Sequence, residues 1–169
     1  MGGCLVFRVQ CWGQHDTEQT QKGTITMPTV QIQIEQTGPA TSEATIRGHK
    51  VLIDRPEAKG GDDKGPMGGE LFLASLGGCF MSNLLAAIRS READISGVRA
   101  EVTGTLEENP LRYTAIDIAV SADGADTTEL QKLVTIAERS CIMVNTLSGP
   151  LRLTTRIAAA SVATAQAEH

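Results

Sequence analysis

Aromatic side chains are scarce in this 169-residue chain, in which Phe, Trp and Tyr together account for only 3% of the residues. The core must therefore be built from small and aliphatic side chains, and helices can approach one another closely. A chain of this length buries roughly 70% of the surface that its unfolded form exposes, which is enough for a core without disulfide or metal staples. We therefore expect one domain.

An excess of positive charge is also absent, because 15 Lys and Arg residues face 20 Asp and Glu residues and the net charge is -5. Such a balance excludes a broad electrostatic footprint for nucleic acid or for an anionic membrane surface. The longest apolar stretch, Leu71 to Met81, is broken by small residues and falls short of the roughly 20 residues that a membrane span needs. The expected partners are small molecules or proteins.

Targeting and metal signatures are missing as well. No segment combines a basic start, an apolar run and a cleavage site, and the four cysteines do not form a dense disulfide framework, so we predict a cytoplasmic protein. Cys4, Cys11 and His15 match no zinc signature and lack a fourth ligand, so no metal or other cofactor is predicted. Residues 1-26 show no period and are interpreted as an ill-ordered extension before a domain at 27-160 and a frayed tail at 161-169.

Alternating apolar and polar residues predict several strands. The predicted strands are 29-36, two short strands around Gly48, a hairpin of 98-106 and 111-121 joined at Asn109-Pro110, and a last strand at 151-157.

Two longer segments show helical spacing instead. The first runs from Glu70 to roughly Glu92 and is apolar almost all round in its first half, which predicts a central helix enclosed on every side. Gly77 and Gly78 weaken such a helix and predict close backbone contact there. The second begins at a capping box at Asp126 and continues through Cys141 and Val144 to Ser148. Strands, helix, hairpin, helix and strand in this order predict an α+β fold.

Cys79 and Cys141 both lie within these apolar helical patterns. A single cysteine of this kind is often just a small buried hydrophobic residue. Two of them that meet in one core, in a chain without another strong catalytic signature, suggest dithiol redox chemistry.

The neighbours of the two cysteines are similar to a known family. The stretch GGDDKGPMGGELFLASLGGCF, a second cysteine 62 residues later and the closing SCIMVNTLSGP resemble the OsmC/Ohr family of osmotically induced and organic-hydroperoxide-resistance proteins, the OsmC-like branch more than the Ohr branch. The resemblance spans roughly Val30 to Ile157. It implies an intertwined homodimer in which antiparallel sheets wrap around two long central helices, with two active sites at the interface.

The resemblance also implies roles for individual residues. Family members reduce organic hydroperoxides, and some reduce hydrogen peroxide, with two cysteines; Cys79 matches the peroxidatic thiol and Cys141 the resolving one. Glu70 matches the acid that holds an arginine near the thiolate. The Ohr-type arginine of an early turn has no counterpart at residues 37-40, so Arg47 is the best substitute, with Arg55 behind it. An external dithiol, of the lipoyl-protein type, would regenerate the thiols.

Two further points concern the site. Glu70 and Cys79 are nine positions apart, which in one straight helix separates them by ~14 Å and puts them on opposite faces. Only a second subunit, or a break near the helix start, would make them partners, unless Glu70 merely favours the helix amino end. The alkyl part of a substrate could contact four residues that serve equally well as core packing: Leu73, Phe80, Met81 and Met143. The alternative functions are a non-catalytic protein that binds a small apolar ligand at the dimer interface, and a structural dimer with inert thiols.

Overall fold

The computed structural model describes residues 28-123, 126-150, 153 and 155. The chain divides into two units, Met1–Gln31 and Ile32–His169. Within the first unit only residues 28-31 are described, and they form neither helix nor strand. All elements below belong to the second unit. The predicted extension at 1-26, the last strand at 151-157 and the tail at 161-169 lie outside the described residues, wholly or for the most part.

Three short antiparallel strands follow one another at the start of the second unit: β1 (Gln33–Gln36), β2 (Ser42–Ile46) and β3 (His49–Ile53). Ile34, Ala44 and Val51 stand opposite one another in the ladder and therefore share one face. The first strand was predicted to be half-buried, yet Ile34 is 57% exposed. The difference arises because, within the described part of the chain, no helix packs extensively on this sheet.

The central helix and a long hairpin come next: α1 (Gly68–Ser90), β4 (Ser96–Glu107) and β5 (Arg112–Asp123). Alternate residues of β4 and β5 are half-buried and their neighbours exposed, as the hydrophobic alternation predicted. A Cβ built on Gly77 would stand 2.7 Å from Cγ2 of Val102, so this glycine permits close packing of α1 on β4. A Cβ built on Gly78 would meet no described atom within 4 Å. The close contact predicted for this glycine is therefore absent within one chain.

The second predicted helix is divided in two. The structure has α2 (Thr127–Ser140), capped by the Asp126 carboxylate, which accepts the Glu129 backbone N–H at 3.3 Å, and a short α3 (Ile142–Leu147). Cys141 between them is extended, with φ -81° and ψ 116°. The prediction of one continuous helix is therefore wrong at Cys141. The spacing of hydrophobic residues could not reveal this break, because Cys141 leaves helical geometry but keeps its side chain in the core.

The core lies between the two longer helices. It is formed by an i, i+4, i+7, i+8 stripe of α1 and an i, i+4, i+8 stripe that begins in α2: Phe80, Leu84, Ala87, Ile88, Leu133, Ala137 and Cys141. Only six of the 23 residues of α1 are buried, so the expectation of a helix enclosed on every side is not met by one chain. The sequence predicted a stretch too short to cross a membrane, but α1, with 23 residues, is long and apolar enough to do so; core helices of soluble proteins pass the same test.

Candidate active site

The two cysteines singled out in the sequence meet in the core. Their Sγ atoms are 3.2 Å apart, with the Cys141 thiol donating a hydrogen bond to the Cys79 sulfur. Cys141 is 0% exposed, whereas Cys79 is half-buried. Both are reduced. One thiol is therefore partly exposed to solvent, and the other is enclosed beside it.

The break between α2 and α3 sets this geometry. Cys141 continues the buried stripe of Leu133 and Ala137, so its side chain points at α1. The Asn145 side-chain amide donates to the Arg139 carbonyl at 3.1 Å, satisfying one of the carbonyls that the end of α2 leaves without a helical partner. The extended backbone at Cys141 aims the first N–H groups of α3 at α1.

The surroundings of the two thiols shift their pKa values in opposite directions. Donation from the Met143 backbone N–H lowers the pKa of Cys79, aided by the Cys141 thiol and the Ile142 N–H and partly opposed by burial. Burial raises the pKa of Cys141, and the neighbouring Cys79 sulfur adds to this. Cys79 is thus the thiol that ionises first, and Cys141 retains its proton.

An asparagine on α1 also approaches the sulfur of Cys79. Asn83, one helical turn after Cys79, donates from Nδ2 to the Cys79 carbonyl oxygen at 2.8 Å, and the same nitrogen lies 4.0 Å from Cys79 Sγ. Its side chain is half-buried. The amide therefore stands beside the sulfur on the same helix.

The predicted acid lies elsewhere in the chain. Glu70 Oε2 accepts the backbone N–H of Met67 at 2.7 Å, which caps the start of α1. The helix is unbroken from Gly68 through Cys79, so the alternative of a break that brings Glu70 to the thiol is not available. Within one chain Glu70 serves the helix amino end, and its predicted catalytic role requires a second subunit.

The two candidate arginines are exposed. Arg47 occupies the turn between β2 and β3 with φ 61°, and Arg55 follows β3. Within the described residues neither guanidinium forms an ion pair or hydrogen bond with Glu70 or Cys79. The assignment of Arg47 or Arg55 to thiolate activation stays a prediction.

The loop before α1 is organised by a buried carboxylate. Asp54 is 2% exposed and accepts the backbone N–H groups of Arg55 at 2.8 Å and of Asp62 and Lys64 at 3.2 Å each. Burial by itself raises the pKa of Asp54, but these donations outweigh it and the pKa is lowered. The ionised carboxylate fixes the Gly-rich loop that leads into the helix of Cys79.

A cavity of about 560 Å³ lies between β5 and the three helices. Its wall includes Phe80, which follows Cys79, and Val144, which lies in the same short helix as Met143. Among the described residues that line it, the only charged ones are Asp117 and Glu138. The remaining lining is mainly apolar: Phe72, Leu76, Ile116, Ile118, Val134 and Leu147. Polar groups of Tyr113, Thr114 and Ser148 also line it, and neither Cys79 nor Cys141 is part of the lining.

Four residues were predicted to contact a substrate, and the structure separates them. Phe80 lines the cavity. Leu73 packs by its Cδ1 atom against β4 at Gly104, and Met143 packs against the core cluster. Met81 is half-buried and does not line this cavity.

Sequence reasoning missed two contributors to the site. Asn83 could have been found, because a polar residue four positions after Cys79 in an apolar helix shares its face. The N–H groups of Ile142 and Met143 could not, since backbone donors have no side-chain signature and depend on the break at Cys141.

The described part of this α+β chain brings a half-buried and a fully buried thiol together at a helix break. A sequence profile described as OsmC-like protein matches residues 61-156, more than half of the chain and both cysteines. The chain therefore belongs to the OsmC-like family, whose members are typically soluble.

Solved structures share the fold. The OsmC-like protein from Mycoplasma pneumoniae is 18% identical, with a TM-score of 0.65, covering 73% of this chain and 90% of its own. An organic hydroperoxide resistance protein from Elizabethkingia anophelis is 23% identical, with a TM-score of 0.57 and coverages of 75% and 92%. The organic hydroperoxide resistance protein OhrB of Bacillus subtilis is 20% identical, with a TM-score of 0.53 and coverages of 72% and 91%. No curated protein sequence matches significantly.

Proposed function

We propose that this protein is a thiol-dependent peroxidase that reduces organic hydroperoxides, with hydrogen peroxide as a further substrate, through Cys79 and Cys141. The observation that carries the proposal is the Sγ to Sγ distance of 3.2 Å between one thiol with a lowered pKa and one with a raised pKa. Only the thiolate is a strong nucleophile. A pair polarised in this way has an attacking sulfur and a resolving sulfur in place.

The first step oxidises Cys79. Its thiolate attacks the outer oxygen of the hydroperoxide, an S–O bond forms as the O–O bond breaks, and the leaving alkoxide takes a proton to become the alcohol. Sulfur loses two electrons and is left as sulfenic acid.

The second step uses Cys141. Its sulfur attacks the Cys79 sulfenic acid, an S–S bond forms, and the hydroxyl leaves as water with the Cys141 proton. The sulfurs need to approach from 3.2 Å to about 2.05 Å, a movement small enough for the start of α3 to follow. An external dithiol, for which a lipoyl-type protein is our candidate, then returns both cysteines to thiols by exchange.

We further propose that the working protein is a homodimer in the cytoplasm. Supporting it are the apolar face of the β1 to β3 sheet, with Ile34 57% and Ile46 36% exposed, and the large uncovered part of α1. A second copy would cover these surfaces. It would also provide a route by which Glu70 and an arginine such as Arg47 could reach Cys79.

The second candidate function is the binding of a small apolar ligand without catalysis. The cavity of about 560 Å³ favours it, as does the lack of a guanidinium at Cys79 among the described residues. In that case the thiols would be only part of the core.

The test is to mix fully reduced protein with cumene hydroperoxide and to follow thiol loss together with formation of the alcohol. We expect one alcohol per chain without added reductant, and an intramolecular disulfide. Cys79→Ser should abolish both, and Cys141→Ser should leave a sulfenic acid at Cys79. Consumption no faster than by a free thiol would reject the peroxidase and leave the ligand-binding function.

A further inference from the structure

The reactive sulfur has a side-chain neighbour that the cysteine pair does not explain. The Asn83 amide nitrogen is 2.8 Å from the Cys79 carbonyl oxygen and 4.0 Å from its Sγ. An amide nitrogen carries two N–H groups, so the bond to the carbonyl leaves the second available to the sulfur.

Helix formation alone does not favour asparagine at this position. In a helix interior asparagine is less favourable than alanine by up to about 0.7 kcal/mol, and a side chain that bonds back to the carbonyl four residues earlier competes with the helical hydrogen bond. Its neighbours on α1, Phe80 and Leu84, are fully buried and apolar. A polar group here needs a partner, and Cys79 is the residue that it contacts.

We propose that Asn83 belongs to the reactive site and that its side-chain amide donates a hydrogen bond to the charged sulfur of Cys79. The proposal rests on the proposed function for its catalytic meaning, but the interaction itself does not depend on a hydroperoxide.

The position of Asn83 gives it a task that the other donors cannot perform. The Ile142 and Met143 N–H groups and the Cys141 thiol belong to the segment that moves when Cys141 approaches the oxidised sulfur. Asn83 lies on α1 with Cys79, so it remains beside the sulfur throughout. Asn83 therefore donates to the charged sulfur before it reacts with a hydroperoxide. It does so again each time exchange with the external dithiol regenerates the Cys79 thiolate.

The charge state of Cys79 is the property to measure. Of the titratable groups described on the elements packed against it, only the Cys141 thiol contacts its sulfur; Glu138 and Arg139 of α2 are exposed. A shift caused by Asn83 variants can thus be assigned to the amide.

The experiment measures alkylation of reduced full-length protein by iodoacetamide between pH 5.5 and 10, with Cys79 followed separately by peptide mass spectrometry. Asn83→Ala favours the helix and removes the donor; Asn83→Asp keeps the shape and presents acceptors instead. We expect the Cys79 midpoint to rise by about half a unit to one unit in the first variant, and further in the second. The rate at pH 7 then falls by about three- to tenfold. Ser82→Ala, at the exposed neighbouring position, should match the wild type.

Midpoints equal to that of the wild type in folded Asn83→Ala and Asn83→Asp would overturn the proposal, and because alanine strengthens the helix, the first variant is expected to fold. A shifted midpoint in a protein that does not reduce cumene hydroperoxide would uphold the role of Asn83 and reject the peroxidase. Peroxidase activity together with unshifted midpoints would uphold the peroxidase and reject the role of Asn83.

Discussion

The backbone N–H of Met143 lowers the pKa of Cys79, and this interaction joins the two halves of the site. Met143 lies two residues after Cys141, so the segment that carries the buried thiol also polarises the accessible one. In the proposed mechanism, the segment from Cys141 to Met143 therefore contributes both to the activation of Cys79 and to its resolution. A change that displaces the start of α3 should weaken both.

Thiol reactivity should depend on pH differently at the two cysteines. Because the folded pKa of Cys79 is lowered, we expect its alkylation midpoint below the ordinary value near 8.5, and that of Cys141 above it. The lowered pKa of Cys79 also stabilises the folded protein. This stabilisation is fully present above the unfolded pKa of the thiol and is lost as pH falls through its folded pKa. The Cys141 contribution is present below the unfolded pKa and is lost as pH rises through its folded pKa. Site-resolved alkylation checks the order; a higher midpoint for Cys79 than for Cys141 would contradict it.

Packing of α1 on β4 should be sensitive to one added methyl group. In Gly77→Ala the new Cβ meets Val102 Cγ2 at 2.7 Å, and we expect the free energy of unfolding to fall by about 1 to 3 kcal/mol despite the better helix propensity of alanine. Adding Val102→Ala should recover part of the loss that is due to the clash. Gly78→Ala, with open space around it in the single chain, is the matched control. Urea unfolding measures the free energy of unfolding of each variant. If Gly77→Ala were as stable as the wild type, β4 would have to shift to accommodate the methyl group without a loss of stability.

Uncharged hydroperoxides should be better substrates than anionic ones. Asp117 and Glu138 are the charged residues among the described cavity lining, so a fatty-acid hydroperoxide is repelled while its methyl ester is not. Since both carboxylates are exposed and screened by salt, we expect a difference of about two- to fivefold at low ionic strength. Glu138→Gln should reduce it, whereas Glu129→Gln, exposed on the same helix, should not. Equal rates for acid and ester would argue against this cavity as the substrate site.

The exposed face of the first sheet should hold two subunits together. Ile34→Asp puts a charge on the apolar face, and Gln33→Asp puts the same charge on the opposite face of β1. In sedimentation we expect wild type and Gln33→Asp at twice the 17.9 kDa of one chain, and Ile34→Asp shifted toward the monomer. A wild-type protein that sediments as a monomer would contradict the dimer.

Much of the fold could be predicted from the spacing of hydrophobic residues and from turn residues, because both signals depend on residues that are close together in the sequence. The β4 and β5 hairpin with its Asn109-Pro110 turn, the Asp126 cap and the apolar stripe that contains Cys141 all follow from residues within a few positions of one another. The break at Cys141 could not be predicted in this way. Nor could the exposure of Ile34, since the period of a strand gives its apolar face but not what covers it.

The sequence by itself determined the order of β1 to β5, α1 and α2 and the two thiols that face the core, because side-chain spacing fixes which residues share a face. Only the tertiary structure decided that the sulfurs of Cys79 and Cys141 lie 3.2 Å apart and that the first ionises more easily. The reason is physical: the distance depends on the packing of two helices from distant parts of the chain, and the charge depends on backbone N–H groups whose direction no side chain encodes.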